Sequence, residues 1–313
     1  MTKPELLAPA GNMNTLQVAV NAGANAVYLG AAKFSARAFA GNFDGGELES
    51  GIKFATERGA KTYLAINTLL TDRELPEAME IVENACELGV SAFIVQDLGL
   101  ASLIQEQFPN TNLHASTQMT ARTLADVEML GKLGFKRVVL ARELSRTQIR
   151  EIVENTDVEL EVFVHGALCS AVSGQCLISS FIGGRSANRG KCAQPCRLPY
   201  KSGKKSGVLL SLKDLNLVDY VSELAEIGIS SLKIEGRMKG EDYVRMVVSA
   251  YRKVLDGETL RDSERQKMQK AFNRGGYTDG YFANRKSLMY METLKNPYGE
   301  NVVPRKRGRK NAN

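Results

Sequence analysis

Four cysteines, Cys169, Cys176, Cys192 and Cys196, fall in one short run with the spacing Cys-x6-Cys-x15-Cys-x3-Cys. The fifth, Cys86, stands apart. Clustered thiolates can ligate soft metals or iron–sulfur clusters, or can pair as a redox disulfide. From Val162 to Lys213 the chain has no Asp or Glu but eight Lys or Arg. A segment cleared of negative charge in this way suits a bound centre that is itself negative. Zinc knuckles set their ligands about two to four residues apart, which only the last pair approaches. Cluster ligands need only reach the corners of the inorganic core, so wider spacing is acceptable. The order of fit is therefore a 4Fe–4S cluster, then zinc, then a redox disulfide. Glycines within the segment leave backbone N–H groups to donate to cluster sulfurs. Cys86 lies on the apolar face of a helical pattern and reads as a small buried hydrophobe.

The rest of the chain narrows the chemistry. There are two histidines, His114 and His165. No His-Glu-x-x-His, Gly-x-Ser-x-Gly or Walker A run occurs, which leaves zincin proteolysis, serine hydrolysis and nucleotide hydrolysis without a motif. A cysteine nucleophile paired with His165 stays open.

The elements that position these residues alternate in type. Apolar, β-branched runs at Glu5–Pro9, Ala26–Gly30, Lys61–Asn67, Ala92–Asp97, Asn112–Ser116, Arg137–Arg142, Glu159–Gly166 and Ser231–Gly236 predict strands. Amphipathic stretches between them, among them Asn14–Ala22, Pro76–Leu88, Leu98–Gln107, Thr120–Leu133 and Ser145–Glu154, predict helices. Gly23, Gly59, Gly89 and Gly134 follow such stretches, where a left-handed cap is expected. Strands buried on both faces and separated by helices indicate a parallel sheet, and eight such units predict an α/β fold of the TIM-like (β/α)8 kind. No Gly-x-Gly-x-x-Gly follows the first strand to support the alternative, a doubly wound dinucleotide fold. The cysteine segment becomes an insertion after strand 7, on the face where barrel chemistry sits. Val208–Lys213 is expected to return as an accessory strand, Glu241–Leu255 to be the last barrel helix and Arg261–Ala271 a further helix. The expected division is a barrel over 1–257 with the insertion at 167–207, a helix and C-terminal strap over 258–300, and a basic tail at 301–313.

With 43% hydrophobic and 24% charged residues the 313-residue chain has the composition of a soluble protein. No apolar run approaches the roughly 20 residues of a bilayer span, and MTKPELLAPAG lacks a secretory apolar segment. A cytoplasmic protein with no membrane partner is expected. Its net charge is +6, and Arg305, Lys306, Arg307, Arg309 and Lys310 concentrate positive charge at the end. With the cysteine segment they make two basic regions, the footprint of a polyanion such as RNA.

ELLAPAGNMNTLQVAVNAGANAVYLGAAKFSAR and VFVHGALCSAVSGQCLISSFIGGRSANRGKCAQPCR resemble the signatures of the collagenase-like peptidase U32 family, and SLKIEGRMKGEDYV and FNRGGYTDGYF are similar to its later motifs. The resemblance covers about residues 1–300. Its name implies proteolysis. Its better understood branches imply a 4Fe–4S cluster and oxygen-independent hydroxylation, of a tRNA wobble uridine at carbon 5 with prephenate as co-substrate, of a ribosomal RNA cytidine, or of the ubiquinone ring. The resemblance assigns the cluster to Cys169, Cys176, Cys192 and Cys196. The short form of the tRNA branch is the most similar, which implies tRNA as partner and a longer paralogue as a second one.

Position at strand ends then suggests roles. Arg37, Arg142 and Arg237 are expected to hold carboxylates of a prephenate-like acid through paired guanidinium bonds, with Asn67 and Gln118 also lining the substrate. His165 and Glu235 are expected to transfer protons. A peptidase and a non-catalytic subunit that binds RNA or a paralogue are the competing expectations.

Overall fold

All eight expected runs form parallel strands that close on themselves in a computed structural model, which describes residues 3–37, 40–286 and 289–291. In chain order the barrel strands are β1 (Glu5–Pro9), β2 (Ala26–Gly30), β3 (Lys61–Ile66), β4 (Ala92–Val95), β5 (Leu113–Ala115), β6 (Arg137–Val139) and β7 (Glu159–Gly166). A surface hairpin, β8 (Tyr200–Ser202) and β9 (Lys205–Gly207), and a short strand, β10 (Asp214–Asn216), come before the eighth barrel strand, β11 (Ser231–Ile234). β11 pairs with both β1 and β7, which closes the cylinder. The TIM-like (β/α)8 expectation holds.

Helices α1 (Met13–Asn21), α2 (Gly45–Thr56), α3 (Leu75–Glu87), α4 (Leu98–Gln107), α5 (Leu124–Lys132) and α6 (Arg146–Val153) follow the first six strands. The insertion holds the one-and-a-half-turn α7 (Ile178–Gly183), and α8 (Val221–Ile227) and α9 (Glu241–Leu255) complete the outer ring. Side-chain caps fix several starts: Asn12 on α1, Asp97 on α4, Thr123 on α5 and Ser145 on α6. Gly23, Gly59, Gly89 and Gly134 all take the positive φ expected at helix ends. Outward strand residues such as Leu6, Val27, Leu64 and Phe93 are fully buried against this ring, each stabilising the fold by roughly 1.5–3 kcal/mol. No described helix is long and apolar enough to cross a membrane.

The inside of the barrel is partly charged. Leu7, Tyr28, Tyr63 and Ile94 belong to its small apolar layer. Toward the N-terminal ends of the strands, Arg137 donates to Glu5 at 2.6 Å and Glu159 at 2.8 Å, and Lys233 donates to Glu161 at 2.7 Å. Here Glu161, Arg137 and Lys233 are almost wholly buried.

One expected strand moves. Val208–Lys213 forms a turn and a single antiparallel bridge from Leu212 to Tyr290. The accessory strand is β10, which pairs antiparallel with β7 through Leu215–Gly166 and Asn216–His165. The reason lies in Arg197, whose buried guanidinium takes the Leu212 carbonyl, a group a ladder strand would need for itself, together with the Ser211 hydroxyl. After α10 (Asp262–Ala271), β12 (Tyr277–Thr278) adds parallel to β10 and begins the C-terminal strap. The basic tail at 301–313 lies outside the described residues.

Candidate active site

Three arginines and one carboxylate occupy the C-terminal mouth of the barrel. Glu235, directly after β11, accepts from Arg142 at 2.9 Å and pairs with Arg37 at 3.2 Å. Arg142 also donates to the Ala167 carbonyl at 3.0 Å and lies 3.9 Å over the Phe163 ring. Arg237 is buried and donates to the Ser35 hydroxyl at 2.8 Å. Its place depends on Gly30: a Cβ there would stand 2.0 Å from a guanidinium nitrogen and 2.3 Å from the Asn42 amide oxygen. The end of β2 thus approaches the arginine closer than any side chain would permit.

Burial alone pushes the Glu235 carboxyl upward, but Arg37, Arg142, Arg237 and Lys233 outweigh it and hold the group down at about 2. It is an anion at neutral pH, and its geometry is that of a clamp on Arg37 and Arg142. Burial lowers Arg237 to about 10, leaving it cationic. Three cations against one anion leave the mouth positive. Among the described residues the buried Nε of Arg142 has no hydrogen-bond partner.

His165 is placed elsewhere. Lys233 pairs with Phe163 but Ile234 pairs with His165, so β7 carries one extra residue at this point. The bulge re-aims the imidazole. Its ring meets Tyr243 and Tyr251 of α9 and Tyr277 of β12, and Nδ1 lies 3.4 Å from the Tyr251 hydroxyl. Burial holds it neutral, with its pKa down at about 3. His114 points inside the barrel against Tyr63 and is likewise lowered by burial to about 3. A sequence pattern cannot show such a bulge, because it changes the face of a residue without changing the residue.

Asn67 and Gln118 do come together. Gln118 donates to the Asn67 carbonyl at 2.6 Å, and the Asn67 amide reaches Ser116 and the Ala36 N–H. The insertion is fastened onto this pair. Asn188 donates to Gln96 at 3.2 Å and Gln118 at 3.3 Å, while Arg189 pairs with Glu74 on the barrel. A Cβ on Gly174 would sit 2.6 Å from the Gln118 carbonyl, so the insertion packs there backbone to backbone, at a φ of +77°. Ser173 completes the seam by donating to Glu143. Asn188 and Ser173 escaped the sequence reading because each lies mid-loop, with no period to mark its direction.

The cysteine loops come near the arginine mouth. All four thiols are unpaired, and Cys169 and Cys192 are exposed. Although Cys169 as a residue is exposed, desolvation around its sulfur pushes the thiol up; the Ala171 N–H and Arg142 act the other way, and Cys196 and Cys176 are near enough to raise it further. Cys192 lies close enough to Arg37 for the two to interact electrostatically. Cys192 also accepts from the Gln194 N–H at 3.3 Å and from the Ser179 hydroxyl at 3.8 Å, the kind of donor that stabilises a thiolate ligand. Among the described residues no three His, Cys, Asp or Glu side chains are grouped to hold a single metal ion.

Comparison with known proteins places this site in context. The chain is 39% identical over 267 residues to the tRNA hydroxylation protein P1 of Bacillus subtilis, covering 81% of this chain and 63% of that one. It is 42% identical over 302 residues to the 23S rRNA 5-hydroxycytidine C2501 synthase of Escherichia coli, covering 90% and 45%. The chain therefore spans less than two thirds of the length of either relative. The solved structure of a U32 peptidase shares the fold, with a TM-score of 0.54 at 13% identity over 75% of this chain and 94% of that one. The family model of Peptidase family U32 matches residues 11–292, and with these identities the chain belongs to that family.

Proposed function

We propose that the chain hydroxylates an RNA pyrimidine, a tRNA wobble uridine at carbon 5, at the barrel mouth. The observation that carries this reading is four free cysteines in one insertion beside an arginine-lined barrel end, with Cys169 near Arg142, Cys176 and Cys196 and Cys192 near Arg37, in a chain 39% identical to a protein named for tRNA hydroxylation. Cys169, Cys176, Cys192 and Cys196 would hold a 4Fe–4S cluster. The all-sulfur donor set, the N–H and O–H donors at Cys192 and the acid-free segment fit such an anion. When bound, the cluster supplies electron transfer and a site for a hydroxyl-donating species.

The chain's own residues do the positioning. Arg37 and Arg142 would bind the carboxylates of a prephenate-like acid, with Glu235 keeping both side chains in place. Asn67 and Gln118 offer amide groups to a pyrimidine edge. Glu235, ionised and clamped, and His165, turned away and neutral, are reassigned from proton transfer to support of the site. The same geometry disfavours proteolysis. Among the described residues neither histidine ring has a hydrogen bond to a serine or cysteine, as an activated nucleophile would require.

The test has two parts. Anaerobically purified protein should carry about four irons and four sulfides per chain and lose them when Cys169 or Cys192 is replaced by Ala. Deleting the gene should abolish 5-hydroxyuridine derivatives in tRNA nucleosides, and the deletion is repeated without any longer paralogue so that redundancy cannot mask it. Unchanged tRNA with lost hydroxycytidine in ribosomal RNA would move the substrate; unchanged RNA of both kinds would reject the reading.

A further inference from the structure

Helix α7 is inside out. Its Ser179 is fully buried, donating toward Cys192 and accepting from the Ala193 N–H. Its apolar side chains face solvent instead: Leu177 is 71% exposed, Ile182 65% and Phe181 94%. A helix at the surface of a soluble protein normally does the reverse. An apolar patch of this kind marks a contact with something else.

The charge of the segment selects the partner. The patch belongs to the stretch from Val162 to Lys213 that has eight Lys or Arg and no acid. Lys191 and the hairpin lysines Lys201, Lys204 and Lys205 are exposed. A protein surface matched to this one would need to be apolar and acidic. Unpaired nucleotides offer flat apolar base faces on an anionic backbone in one molecule, and an exposed aromatic among cations is the usual platform for them. The location adds a reason. An enzyme that works on a base must take it out of its stack, which leaves neighbouring bases without a stacking partner. The Ser179 hydroxyl ties α7 to Cys192, so a base resting on Phe181 would lie beside the cysteine loops.

We infer that α7 is the docking face for single-stranded RNA, with Phe181 stacking on an unpaired base next to the one that enters the barrel. This rests on the RNA reading above, and the experiment separates the two.

The chain has no tryptophan, so Phe181→Trp introduces a single reporter at the proposed contact. Full-length anaerobic protein is titrated with a fluorescein-labelled oligouridylate and with a duplex RNA of equal length. Anisotropy reads binding, and indole emission in an unlabelled titration reads stacking. The oligouridylate is expected to bind and to quench the indole, and the duplex to do neither as strongly. Phe181→Ala should weaken oligouridylate binding roughly tenfold with an unchanged salt slope. Lys201→Ala with Lys204→Ala and Lys205→Ala should lower that slope. Because Phe181 is almost fully exposed, neither Phe181 variant should shift the melting temperature. Binding without quenching, together with unchanged affinity in Phe181→Ala, would overturn the inference while leaving the RNA reading intact. No binding by the wild-type protein would count against the RNA reading itself. A concentration-dependent blue shift of the indole without RNA would overturn the inference in favour of a protein interface.

Discussion

Arg142 and Glu235 face each other at 2.9 Å across the barrel mouth, each mostly withdrawn from water, with Arg37 on the same carboxylate oxygen. The pair ties the end of β11 to the loop after β6 and leaves the mouth with excess positive charge. Glu235→Gln removes the anion and leaves the guanidinium groups to repel one another. Holding the carboxyl at about 2 rather than near 4.5 corresponds to roughly 3 kcal/mol of stability at neutral pH. The folded pKa is the lower one, so this contribution is present above about pH 4.5 and is lost as pH falls toward 2. Urea melts of wild type and Glu235→Gln should differ by about that amount at pH 7 and converge as acid is added. A constant difference across this range would contradict the clamp.

The two histidines give a second acid-dependent signal at higher pH. Both are lowered by burial to about 3, so the unfolded chain binds protons that the folded chain refuses. Stability is then lost as pH falls below about 6.5, by about 2 kcal/mol for each histidine at pH 5. Ring resonances of His114 and His165 should show no titration between pH 8 and pH 5. A midpoint near 6.5 for His165 would restore it as a proton carrier.

Most of the barrel was legible because its signals are local. Apolar β-branched runs, amphipathic stretches and terminal glycines each act over a few residues. The cysteine quartet and the strand-end arginines were legible for a related reason: their residue types are costly to place without a partner. What escaped was set by geometry between distant segments. The bulge that turns His165 outward depends on the register between β7 and β11. The turn at Val208–Lys213 depends on a guanidinium from Arg197 that claims its carbonyl. The inverted face of α7 depends on the Ser179 hydroxyl, which reaches across to Cys192 and to the Ala193 N–H.

Gly30 tests how tightly the arginine mouth is built. An added Cβ would overlap the Arg237 guanidinium and Asn42, so Gly30→Ala should cost about 1–3 kcal/mol and reduce activity together with stability. Gly46, in the first turn of α2, has nothing within 4 Å of its would-be Cβ. Gly46→Ala should be neutral or stabilise by up to about 1 kcal/mol. Equal melting temperatures for the two variants would show that the mouth has slack the distances do not suggest.

Arg197 links the two ends of the cysteine segment. It follows Cys196, and its buried guanidinium donates to the carbonyl of Leu168, just before Cys169, as well as to Ser211 and Leu212. The first and last cysteines are thus held at a fixed separation by one side chain. Arg197→Ala would leave buried carbonyls without their donor, a loss of about 1–3 kcal/mol in that loop. The barrel strands make none of these bonds. Arg197→Ala should therefore bind iron less tightly, releasing it to a chelator faster than wild type, with only a modest drop in the barrel's unfolding midpoint. Cys86→Ala, a change on α3 beside Thr111, should leave iron release unaltered. If Arg197→Ala released iron at the wild-type rate, the separation of Cys169 and Cys196 would have to be set by the loop between them.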